Sequence, residues 1–396
     1  MYRIMFESFR DDASRRDVLK ASAASVGASM GLVGTASAAD GAVEFDEPIT
    51  ITPDDSGTTF VQTADFDGRV LIRPGVEDVT IDGNGYIITG GGIGGGSYDG
   101  PSIVNLTLQN LYLPDGGVSV DEPGGLVLRN NVIQDFGSES AGGVHAVDNT
   151  IAGSIRLFEN QANNVFARNV VSSMSFADDL MGSHRVSNNF IMGDERGPGI
   201  GLQVSNAFDG RFQILDNYVA NADGAGIDLE DAGDLKPVVS GNVIVGNGSH
   251  GLFSYGSVAS VSGNMFIGNG GDGVNASVGT FTKNAAVSND GVGFDVGVDR
   301  DCLRNVAVSN GGGGFRVEST GAKVKFNRAT GNDGDGVVLR GSGFPFRKNN
   351  INTNGGDGLV INADDSGLSR NRICGNDGEQ LVDDGDENLF ANNLVC

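Results

Sequence analysis

The chain has 396 residues, 64 of them glycine, and no tryptophan. Its 51 acidic and 26 basic residues leave a net charge of −25, a surface that repels nucleic acid and anionic membranes and argues against both as partners. The glycine has no three-residue period, which excludes collagen.

The N-terminus carries Arg15-Arg16, an apolar pair Val18-Leu19, a modest alanine- and glycine-rich stretch, and then Ala36-Ser37-Ala38. This is similar to a twin-arginine export signal with cleavage after Ala38, so residues 1–38 are expected to be a leader outside the fold. No later segment has the ~20 apolar residues of a membrane-spanning helix. The expected location is outside the cell or at its surface. Only six residues are lysine, and such an acidic, lysine-poor surface resembles proteins of salt-loving archaea, where salt screens the repulsion.

Residues 39–70 are expected to cap the first coil, because an open strand edge recruits other strands. Val79-Thr80-Ile81-Asp82-Gly83-Asn84-Gly85 marks the start of a repeat expected over residues 71–396. Asn110, Asn131, Asn149, Asn169, Asn189 and Asn217 are candidate corner residues, irregularly spaced, with the long gaps implying protruding loops. Then the repeat becomes regular. Asn242, Asn264, Asn284, Asn305, Asn327, Asn349, Asn371 and Asn393 are separated by 22, 20, 21, 22, 22, 22 and 22 residues. A second asparagine follows five residues after most of these, from Asn247 to Asn376, and a glycine nine residues after, from Gly251 to Gly358. After each glycine apolar residues alternate, as in Phe294-x-Val296 and Leu359-x-Ile361, which places them on one face of a strand. Asparagine is expected at left-handed corners, with its amide bonding to the next amide in a stack. The reading is all-β: a right-handed single-stranded parallel β-helix, a solenoid of about 13 coils at ~22 residues per coil.

The G-N-x-x-x-x-N-x-x-x-G-h-x-h pattern and the opening V-T-I-D-G-N-G resemble right-handed β-helix proteins of the pectin-lyase-like superfamily over residues 70–396. The resemblance implies a secreted protein that binds or processes polysaccharide, as a lyase or glycoside hydrolase, in an outward groove near the irregular coils. The alternative is a non-catalytic surface or matrix protein for structure or adhesion. The N-T-D and R-I-K motifs of polygalacturonase-type enzymes are missing, and scarce aromatic residues weaken the sugar reading.

Three clusters are candidate sites. Asp178 and Asp179 with His184 form one, and adjacent aspartates are also common in solvated turns. Asp228 and Glu230, two apart and so expected on one outward face, join His250 in the second, where Asp272 falls one coil beneath the imidazole. Its bland counterpart is a corner histidine bonded to backbone. Asp335, Asp357 and Glu379 share a register in the third; stacked carboxylates call for a cation such as calcium, or for screening by salt. Cys374 and Cys396 are 22 apart in one register and are expected to form a disulfide.

Overall fold

The computed structural model describes residues 41–96, 102–121, 123–139, 143–158, 163–177, 180–193, 201–205, 207–229 and 236–396. The proposed leader lies outside them. The described residues are strands and turns apart from one short 3-10 turn at Pro53–Asp55. They build a parallel β-solenoid of about 14 turns with ~22 residues per turn. The chain forms two compact units, Met1–Val171 and Ser172–Cys396.

In the first unit, the described part of the stretch expected as a cap, residues 39–70, itself forms strands. Val43–Phe45 pairs in parallel with Thr59–Gln62, and Thr50–Ile51 with Val70–Ile72, so this stretch already belongs to the stack. One inward column runs Phe60, Ile81, Leu108, Leu128, Ala146, Phe166, all buried. Because each strand registers on the next, a single inward parity is enforced along the whole column.

In the second unit the later regular coils contribute three strands each, for example Phe315–Thr320, Lys323–Lys325 and Arg328–Thr330, whereas in the coils that start at Leu252, Val274 and Phe294 the first two run together as one strand, as in Val274–Thr282. The residues expected inward from alternation, including Phe294, Val296, Leu359 and Ile361, are buried. So are Ile244, Phe266, Ala286, Ala307, Ala329, Ile351 and Ile373, whereas their counterpart Val395 in the last coil is 44% exposed. Phe294 packs against Phe281, Phe266 and Phe315, with centroids 4.9, 6.4 and 5.2 Å apart. Pairs of this kind contribute about 0.5–1.5 kcal/mol beyond area burial.

The ladder asparagines are buried and bonded on every side, apart from the partly buried Asn393 at the end of the stack. Asn305 is typical. Its Nδ2 donates to the Phe281 carbonyl and to Asn327 Oδ1, while its own Oδ1 accepts both the backbone N–H and the Nδ2 of Asn284. The asparagine is not itself the left-handed residue. That conformation falls one residue earlier, at Lys283, Arg304, Phe326, Lys348, Arg370 and Asn392, and likewise at Ser288, Ser309 and Thr353 before the second ladder. The turn leaves the following N–H without a strand partner, and the asparagine amide of the next coil accepts it. Asn110 is therefore not a ladder residue: it is left-handed, and Leu111 holds the ladder position, donating its N–H to Asn131 Oδ1.

Cys302 lies in the inward column between Phe281 and Val324 and is fully buried. Burial pushes its thiol up to about 12. The native protein should thus show no thiol reactive to Ellman's reagent at pH 8, and one after denaturation; a native thiol titrating there would contradict the packing. The raised folded value means that stability from the neutral thiol is complete below pH 9 and is lost as pH climbs towards 12.

Candidate functional site

The first unit carries a cleft of about 860 Å³. Its floor is the outer face of the stacked strands Val70–Ile72, Ile93–Gly95, Val118–Val120, Phe136–Glu139 and Thr150–Phe158. Their inward residues Val70, Ile93, Val118, Phe136 and Ile155 are buried, so the alternate positions face out: Leu71, Gly94, Ser119, Gly137, Arg156. Two of those five carry no side chain. At Gly92 and Gly116 a Cβ would strike neighbouring backbone, and glycine is required. At Gly94 the nearest atom to a Cβ would be 3.9 Å away, and at Gly137 nothing lies within 4 Å. Packing does not demand glycine at these two positions; their effect is to leave the floor bare.

Charged side chains line the walls: Arg69, Arg73, Arg156, Asp115, Asp121 and Asp135. Among the described residues no carboxylate pairs with any of the three arginines. Asp135 is partly structural, its Oδ1 accepting the Ser154 N–H at 2.8 Å and hydroxyl at 3.2 Å. Burial raises the Asp121 carboxyl above its ordinary value. The arrangement offers guanidinium forks for carboxylate or hydroxyl groups, a flat floor, and a partly buried carboxyl.

The clusters expected from sequence are placed differently. Asp178, Asp179 and Glu230 lie outside the described residues. His184 faces the core: it is 2% exposed, registers with Phe212, and has its ring 5.6 Å from that phenyl. Parity decides this, because Val186, two residues on, is also inward, while Arg185 between them faces out, its Nε donating to Ser187 Oγ. Asp228 stands in the outward row Gln203, Asp228, Phe253, Asn275, yet is only 7% exposed. His250 Nδ1 accepts the Asp272 N–H at 3.0 Å and lies 3.5 Å from its carboxylate. Asp272 in turn accepts the Val292 N–H and an Asn275 amide proton. His250 is thus a bonded corner residue, its ring stacked on Phe253, which meets the 72%-exposed Tyr255 edge-on. This aromatic trio, missed because scattered aromatics look scarce, forms where residues 250, 253 and 255 converge at one strand start.

Asp335 Oδ1 accepts the Asp357 N–H at 2.9 Å, and Asp357 Oδ1 accepts the Glu379 N–H at 2.7 Å. Asp335 and Asp357 therefore each satisfy a backbone N–H of the next coil. Cys374 and Cys396 are joined as a disulfide with Cα atoms 4.6 Å apart. The cleft's signal in the sequence is the run Gly90-Gly91-Gly92-Ile93-Gly94-Gly95-Gly96, whose one apolar residue sits at an inward position.

The stacked parallel strands and their asparagine ladders define a right-handed β-helix, and the profile described as "Right handed beta helix region" matches residues 255–395. A second profile, described as "Periplasmic copper-binding protein (NosD)", matches residues 77–277, half of the chain. The chain belongs to that NosD family. Comparison with curated protein sequences yields no match. Among solved structures, the periplasmic alginate epimerase AlgG is similar at 12% identity, over 85% of this chain and 77% of that one, with a TM-score of 0.39. A mannuronic acid-specific polysaccharide family 6 lyase from human gut microbiota is similar at 10% identity, over 87% and 86%, with a TM-score of 0.32. The Azotobacter vinelandii mannuronan C-5 epimerase AlgE6 A-module gives 13%, 88% and 89%, and 0.21. Likeness at these scores bears on neither substrate nor chemistry.

The family's name raises copper, which favours imidazole, thiolate and thioether ligands. Among the described residues no three His, Cys, Asp or Glu side chains are grouped to hold a metal ion. His184 is in the core, His250 Nδ1 is taken by backbone, two cysteines are disulfide-bonded and Cys302 is enclosed. His145, the third histidine, is exposed on the first unit, and among the described residues it belongs to no such group of three.

Proposed function

We propose that this protein binds, and in the catalytic version of the reading processes, a polysaccharide outside the cytoplasm, with the chain lying across the glycine-floored cleft of the first unit. The observation that carries this is the bare floor at Gly94 and Gly137 between arginines that, among the described residues, make no ion pair with a carboxylate. A flat sugar ring can approach such a floor, and guanidinium forks can take its carboxylates and hydroxyls. Asp121, whose carboxyl burial raises above its ordinary value, is the candidate for proton donation to a glycosidic oxygen in the catalytic version. As pH falls towards its raised value the carboxylate neutralises, so binding of an acidic glycan should strengthen. The aromatic trio at His250, Phe253 and Tyr255 is a second candidate contact, in the other unit.

The test is Gly137→Trp. Nothing lies within 4 Å of a Cβ there, and the position faces out, so the indole is directed into the cleft and away from the coil's packing. The melting temperature should hold while binding to alginate, polygalacturonate or a neutral glucan drops by at least about a hundredfold, some 2.8 kcal/mol. Release of reducing ends and unsaturated-uronate absorbance would be followed in the same samples. Unchanged binding in this variant, or no binding by the wild type across the panel, refutes the reading.

A further inference from the structure

The left-handed position before the first asparagine ladder is occupied, in order along the second unit, by Asn188, Asp216, Gly241 and Gly263, residues that tolerate positive φ. It then changes character. Lys283, Arg304, Phe326, Lys348 and Arg370 take it at φ of 58, 57, 60, 56 and 57°, before Asn392 restores the favoured type. Five successive coils therefore accept an unfavourable backbone in order to display these side chains, and all five are exposed. Strain that neighbouring coils avoid marks a position selected for something other than folding.

The chemistry of the row agrees. Lys325 and Arg347 extend it from the adjacent strand positions, so each of the five coils presents a cation at the ~4.8 Å interstrand spacing. The chain has about two acidic residues for each basic one, yet among the described residues none of these six cations has a carboxylate at ion-pair distance. Phe326 stands between Arg304 and Lys348, whose charged groups sit 5.8 and 5.2 Å from its ring centre and are thereby organised rather than left to repel. Lys325, Arg347, Lys348 and Arg370 line a groove of about 600 Å³.

We propose that this stripe binds an anionic polysaccharide, a polyuronate lying along the stack with its carboxylates on successive cations. The proposal extends the polysaccharide reading to a second surface and names the charge class of the sugar. One cation per coil suits a polymer with one carboxylate per sugar. Duplex DNA carries a charge every ~1.7 Å along its axis and would be repelled by the rest of this surface. Single-stranded nucleic acid needs free aromatic faces for its bases, and the one ring in the stripe is already engaged by two cations.

The test uses the full chain carrying Arg304→Asn, Lys348→Asn and Arg370→Asn together. Asparagine favours the left-handed backbone, so the triple variant should melt no lower than the wild type. Affinity electrophoresis in gels of polygalacturonate, alginate, dextran or an oligo-dT strand, at low and at molar salt, reads binding. Expected are retention of the wild type by the polyuronates and not by dextran, weaker at high salt, and roughly a tenfold or larger loss in the triple variant. Undiminished polyuronate binding in that variant overturns the proposal. So does tighter binding of oligo-dT than of polyuronate, or a wild type that merely self-associates through the stripe. Gly137→Trp separates the two readings: if it alone abolishes polyuronate retention the stripe is refuted, and if only the triple variant does, the cleft reading falls instead.

Discussion

Asn305→Leu should destabilise the protein by about 3–5 kcal/mol, because the change keeps the volume and removes the amide. Asn284 then loses the acceptor of its backbone N–H and of its Nδ2, at 2.9 and 3.1 Å, and the Phe281 carbonyl loses a donor. Each buried polar group left without a partner costs about 1–3 kcal/mol. The ladder runs unbroken through neighbouring coils, so leucine at one step interrupts a polarised chain and not a single bond. Asn393→Leu is the internal control. Asn393 accepts the Asn371 N–H and Nδ2 and donates to the Leu368 carbonyl, but these bonds are only partly buried and water can replace them. Urea unfolding should show a loss at Asn393 of about 1–2 kcal/mol. Hydrogen exchange should place the Asn305 defect at the Asn284 amide. Equal effects at both positions would mean that burial does not set the ladder's worth.

The second large effect is confined to one end. In the last coil Leu389, Phe390, Leu394 and Val395 are 74, 44, 52 and 44% exposed, so little apolar burial holds it. The bond from Cys374 to Cys396 closes a segment with a sequence separation of 22, a constraint of about 3 kcal/mol on the chain-entropy account. Cys396→Ser should therefore speed amide exchange across residues 381–395 by roughly a hundredfold. Amides near Asn305 should be unaffected, since a solenoid coil contacts only its neighbours. Loss of protection throughout the second unit, or no loss in residues 381–395, would each contradict this account.

Both predictions rest on features visible in the one-dimensional pattern, and the candidate site does not. The inward parity of Phe294, Val296, Leu359 and Ile361 followed from alternation after each glycine, and the two asparagine series followed from spacing alone. Alternation also places His184, but the irregular coil around it hid which parity applied, and the side chain proved to face Phe212. Asp228 was placed on the correct outward row, and its 7% exposure could not be read from a two-residue spacing. The stacked carboxylates at Asp335 and Asp357 were seen as a column calling for a cation or for salt; the amides they accept come from backbone, which carries no residue signature.

The sequence by itself determined the coil length, the ladders, the inward columns and the shared register of Cys374 and Cys396. These are the positions where every coil must meet the same packing and hydrogen-bonding demand, so the same residue type recurs. Only the tertiary structure decided what the outward positions do. Gly94, Ser119, Gly137 and Arg156 stand side by side although 25, 18 and 19 residues separate them. Lys283, Arg304, Phe326, Lys348 and Arg370 acquired meaning only when the left-handed turn was found one residue before the asparagine. Stacking imposes no residue type on a side chain that faces solvent, so such neighbours carry no period and emerge only when the coils are laid in register.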